Sequence, residues 1–196
     1  MRKLQCALLG IFSAALASAS AAEDAWHLLI EPTFMNYEAA WPIANAKSTV
    51  LVPARVVDGE VRPLLRSEIL ELKVNRKKIL ATAPGAASAV LATLKPRYVR
   101  DANKVIQYAV LESDSPLTAS AVLAPEFAGL FTETLGPELI VAIPNRFRIF
   151  IFPRATFASL NISDLIFKEY HATNWPVTRE IFALRKGKLI TIGLSR

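Results

Sequence analysis

Two apolar runs, residues 138–143 and 148–152, follow one another across the short segment Pro144-Asn145-Arg146-Phe147, and they constrain the fold more than any other feature. Hydrophobic side chains stand at successive positions in both runs, not at every second one. A strand projects successive side chains to opposite faces, so both faces of these strands need cover. Proline and asparagine in the linking segment suit a tight turn. The chain therefore has to place a hairpin in the middle of a sheet and supply other layers on both sides.

Further hairpin signals surround that centre. Asp58-Gly59 separates residues 49–57 from 60–65, and this dipeptide suits a two-residue turn whose central positions both need positive φ. Pro53 cannot donate to a ladder, which predicts an edge or bulged strand for the first arm. Residues 97–113 read as a hairpin turning at Asp101-Ala102-Asn103, and residues 179–185 and 188–194 as another across Lys186-Gly187. A first short strand is predicted at 26–30, followed by an irregular stretch with Pro32, Asn36 and Pro42.

Helical spacing takes over from Asn75, with Ile79, Leu80, Ala83, Ala87, Val90, Leu91 and Leu94 on one stripe. Pro84-Gly85 interrupts it without changing its phase, which fits either one kinked helix or two short stacked ones. Ser115-Pro116 and Pro125 open two short helices ending near Gly136. Within residues 155–172, Ser163 is the candidate cap of another helix, with Leu165, Ile166 and Tyr170 facing inward. Hairpins alternating with helices give an α+β fold, an antiparallel or mixed central sheet with helices packed on it. One domain over residues 22–196 is expected, with 22–70 as an irregular N-terminal lobe.

The stretch GPELIVAIPNRFRIFIFPR, residues 136–154, with the following helix and the terminal PVTREIF and GKLITIG, resembles a sheet core of functionally uncharacterised bacterial protein families. The likeness spans residues 115–194. It implies an α+β domain and assigns no activity and no catalytic residue.

The start of the chain reads as a secretory leader over residues 1–21 of simple bacterial type. Arg2 and Lys3 precede a short apolar stretch, and Ala19-Ser20-Ala21 is a small-x-small cleavage site. No later stretch reaches the roughly 20 apolar residues of a membrane span. The expectation is a secreted or periplasmic protein. Loss of Arg2 and Lys3 leaves 21 basic against 17 acidic residues, a net charge of +4, and loss of Cys6 leaves no thiol. Cysteine nucleophiles, disulfides, thiolate metal sites and iron–sulfur clusters are then excluded.

Familiar catalytic patterns are missing as well. Only His27 and His171 are available as imidazole bases, and no serine stands in a G-x-S-x-G context. His171 sits near a predicted helix end, where a histidine caps carbonyls, and His27 beside a strand reads as structural. Neither H-E-x-x-H nor a nucleotide-binding glycine pattern occurs, so no metal and no cofactor is expected. Glu112-Ser113-Asp114-Ser115 lacks the glycine and distal glutamate of a calcium loop. Carboxylate pairs brought together from distant positions leave a metal-independent hydrolase, or an accessory protein to one, as the competing reading, with His171 or two acids in the working role.

Basic residues in turns are the remaining feature, and Arg146, Arg148 and Arg154 are the candidate binding residues. Arg148, Phe150, Phe152 and Arg154 share one face of their strand. They either frame an anionic or planar ligand or extend from the rim of an apolar core. The expected function is a non-enzymatic binding or structural domain outside the cytoplasm. Its partner is an anionic envelope component or another protein, nucleic acid not being expected.

Overall fold

The computed structural model describes residues 25–185 and 187–195; the predicted leader and Cys6 lie outside the described residues. The fold is α+β, with two antiparallel sheets and helices packed on them. The smaller sheet comprises β1 (His27–Pro32), β2 (Trp41–Pro42), β3 (Thr49–Val57) and β4 (Glu60–Pro63). The larger is six-stranded, from β5 (Arg97–Arg100), β6 (Ile106–Glu112), β7 (Leu139–Asn145), β8 (Arg148–Pro153), β9 (Glu180–Arg185) and β10 (Lys188–Leu194), in the order β10-β9-β7-β8-β6-β5. Its helices are α1 (Arg66–Glu71), α2 (Arg76–Thr93), α3 (Phe127–Leu135) and α4 (Ser163–His171).

The double-faced apolar hairpin lies at the centre, as its pattern requires. Leu139, Val141, Ile143, Ile149 and Ile151 enter one core with Leu91 of α2 and with Phe127 and Phe131 of α3. Ile140, Ala142, Phe150 and Phe152 face the other way and pack under Ile166 of α4. Because alternate residues enter different cores, a one-residue slip of register would exchange every contact at once.

The Asp58-Gly59 turn joins β3 to β4 with φ of 53° and 78°, both in the left-handed region. Pro53 sits in a strand paired on both sides, contrary to the edge assignment: β1 lies along one side of β3, and β2 and β4 along the other. The sheet accommodates it because β2 opposes residues 50 and 51 while β4 opposes 54–57, leaving a gap at Pro53. Its missing N–H faces that gap, and its carbonyl accepts from the Leu64 N–H at 2.8 Å.

α2 is one continuous helix through Pro84, capped by the Asn75 side chain, which accepts from the Lys78 N–H at 2.9 Å. Ser163 is the first residue of α4; Ile162 holds the cap position without a side-chain bond, so the predicted cap is displaced by one residue. α1 was not signalled by periodicity, being six residues long with no buried side chain. The N-terminal segment is more regular than expected, since most of residues 27–63 form the small sheet. Ile30 and Ile43 from it enter the main core, and a parallel bridge pairs Ala44 with Ile190 of β10. No helix among the described residues is long and apolar enough to cross a membrane.

Candidate functional site

The turn between β7 and β8 consists of Arg146 and Phe147, and neighbouring backbone clamps it. The Ala119 N–H donates to the Arg146 carbonyl at 3.0 Å, the Arg146 N–H donates to the Trp175 carbonyl at 3.3 Å, and the Phe147 N–H donates to Asn145 Oδ1 at 3.0 Å. A turn fixed this way aims its side chains. The Arg146 guanidinium reaches the small sheet, with Nε 2.7 Å from Glu31 Oε1 and Nη2 donating to Glu31 Oε2 at 2.8 Å. Nη2 also donates to the Tyr37 hydroxyl at 2.9 Å, and the guanidinium carbon lies 4.5 Å from the centre of the Trp175 ring.

The two side chains are 14% and 1% exposed, so this ion pair, with one hydrogen bond through Nη2, is an interior tie between the sheets. Burial, and next the charge of Glu31, push the Tyr37 hydroxyl up from its ordinary value, while Arg146 pulls the other way. The Tyr37 hydroxyl donates a hydrogen bond to Glu31 Oε2 at 3.2 Å.

Arg148 points elsewhere. Its Nη2 is 2.8 Å from Glu112 Oε2, and its Nη1 donates to Glu169 Oε2. The two acids and Arg148 line a cleft of about 390 Å³ with Asp114 and Asn145. This is the carboxylate pair nearest to the hydrolase pattern, but one guanidinium engages both acids.

Arg154 is exposed at the far end of β8. The six-residue strand β8, roughly 20 Å long, starts at Arg148 and ends just before it. Phe150 and Phe152, which share one face of the strand, are covered by Ile162 and Ile166 of the α4 region and by Phe157. The structure thus gives each of the three arginines a different neighbourhood and encloses the aromatic surface between the last two.

The histidines do not join an acid and a nucleophile among the described residues. His171 is exposed, with Nδ1 2.8 Å from the Phe167 carbonyl one helical turn back, and its ring lies against Phe167 and Tyr170. That is the capping arrangement its position at a helix end suggests. His27 is buried in β1, and burial lowers its pKa. No group of three His, Cys, Asp or Glu among the described residues is placed to hold a metal.

Glu180 is the polar residue that sequence reasoning missed. It is 3% exposed at the start of β9. Its Oε1 accepts from the Lys47 and Ser48 N–H groups at 2.7 and 3.3 Å, and its Oε2 accepts from the Thr49 hydroxyl at 2.6 Å. An acid opening the apolar run 180–184 was the available signal, since such a residue is buried only with dedicated donors. Glu31, at the end of the apolar run 27–30, carries the same signal.

Two larger clefts lie elsewhere among the described residues. One, of about 580 Å³, lies beside Glu180 and is lined by Phe34, Lys47, Arg179 and Leu194. The other, of about 630 Å³, opens between α2 and β10 and is lined by Leu28, Leu51, Leu80, Leu123 and Ile190, with Arg76 and Lys188. Comparison of the chain with known protein families, curated proteins and solved structures finds no match.

Proposed function

We propose that the chain is an exported, non-enzymatic binding domain that takes an anionic component of the envelope or its surroundings. The observation that supports this reading is the division of labour among its charges. Glu31, Glu180 and Glu169 are spent on internal donors, whereas the large clefts combine apolar walls with cations. Concave, mostly apolar sites with a few charged groups suit binding and orientation of a ligand. The contacts of Arg146 and Arg148 favour a positioning role for these two, which moves the expected anion contacts to Lys47, Arg76, Arg179 and Lys188.

The test is retention of a partner from the cell envelope on immobilised protein, followed by stepwise salt elution. A component released at low to moderate salt supports the reading, because contacts between exposed charges are screened over about 8–10 Å at such ionic strengths. No component retained at low salt, or hydrolytic turnover abolished by His171→Ala or Glu169→Gln in a folded protein, refutes it.

A further inference from the structure

We propose that the cleft between α2 and β10 binds a single-chain anionic amphiphile, the alkyl chain lying among Leu28, Leu51, Leu80 and Leu123 and the head group meeting Arg76 and Lys188. The proposal rests on the reading of the chain as a binding domain and adds a site and a ligand class to it. Its walls come from β1, β3, α2, the 3-10 turn Thr118–Leu123 and β10, so the concavity is built by tertiary packing and not by one loop. At about 630 Å³ it falls within the range of small-molecule sites. Leu80 is 39% exposed there, a large apolar side chain held in water on the outer part of a helix that buries Ile79 and Ala83.

Charge decides the ligand class. Among the described residues the lining includes Arg76 and Lys188 and no acidic residue. The Arg76 guanidinium rests 5.3 Å from the centre of the Trp41 ring, an attraction that orients the cation, and no acid among the described residues pairs with it. Arg76 is also the first residue of α2, where the helix dipole favours an anion. The cleft beside Glu180 differs, because an acid lies within its lining. A carboxylate or phosphate head group with one alkyl chain satisfies both halves of the α2–β10 cleft: the chain leaves water, and the head group meets two cations at the mouth.

Calorimetric titration of the purified protein with dodecanoate below its aggregation concentration tests the proposal. Saturable one-to-one binding is expected, with each methylene removed from the chain weakening it by up to about fourfold. Butyrate should not bind, and dodecanol should bind more weakly than dodecanoate. Arg76→Gln combined with Lys188→Gln should weaken binding by about tenfold, and Leu80→Trp, which fills the cleft from an exposed helix position, should abolish it without lowering the melting temperature.

Absence of dodecanoate binding overturns the proposal, as does binding that survives Leu80→Trp or is indifferent to both cation substitutions. Adsorption to phosphatidylglycerol vesicles without dodecanoate binding overturns it in favour of a membrane surface. If the envelope retention experiment succeeds and is unaffected by Leu80→Trp, the binding-domain reading stands and the cleft assignment falls; if retention and titration both fail, both fall.

Discussion

Replacing Arg146 with methionine should be among the most damaging single substitutions outside the apolar core. The change keeps most of the aliphatic stem and removes the guanidinium, so Glu31, 1% exposed, is left with the Tyr37 hydroxyl alone against its charge. Removing one member of a buried ion pair costs about 3–5 kcal/mol, because the remaining charge has lost both water and partner. For a chain of this size each kcal/mol shifts the midpoint by about 2–4 °C, so thermal unfolding followed by circular dichroism should move by roughly 6–20 °C. Glu31→Leu in the same molecule removes the stranded charge and should recover at least half of the loss. Tyr37→Phe, which deletes a neutral hydroxyl, should cost only about 1 kcal/mol. An Arg146→Met protein within about 1 kcal/mol of wild type, the scale of a surface pair, would refute the reasoning. So would a double variant whose cost equals the sum of the two single costs.

Glu180→Gln should lower stability by about 1.5–3 kcal/mol, since its amide oxygen can still accept from the Lys47 and Ser48 N–H groups but without the charge, while its NH2 group replaces the acceptor of the Thr49 hydroxyl; an unchanged urea midpoint would contradict this. His27 makes stability fall in acid: its pKa is lowered by burial from 6.5, so below about pH 6.5 the unfolded chain binds a proton that the folded protein refuses. This loss, up to about 1.4 kcal/mol per pH unit, should be absent above that value and flattened in His27→Leu, as read from melting curves between pH 5 and 7.5. Gly59→Ala should cost about 1–2 kcal/mol, because φ at that turn position is +78°, although open space surrounds the site; a neutral effect on the melting temperature would show that the turn relaxes.

Local chemistry made much of this fold readable before the structure. Asp58-Gly59 marks a turn that only a few residue types adopt, the stripe from Ile79 to Leu91 marks a helix face, and the unbroken apolar runs around Arg146 demand a covered sheet. What escaped depends on distance along the chain. Glu31 and Arg146 are separated by 115 residues, and nothing near either one names the other. Glu180 finds its donors 131 to 133 residues upstream. The position of Pro53 depended on where two partner strands stop, which its own neighbours do not encode. Phe150 and Phe152 share a face as strand alternation requires, whereas Arg154 falls in the turn beyond the strand, and the helix that covers the two rings is also a tertiary choice. The α2–β10 cleft, assembled from residues between 28 and 190, had no linear signature.

The long reach of these polar ties governs when the molecule can close. A chain made or threaded from its N-terminus presents β1 and β3 early, yet Glu31 waits for Arg146 and residues 47–49 wait for Glu180. Native pairing of widely separated segments carries a large loop-closure entropy and slows folding. The first third of the polypeptide therefore cannot reach its final state until nearly all of the remainder has emerged. Were the chain exported unfolded, as we propose, that delay would leave its early strands open during passage and let the late ties close them afterwards.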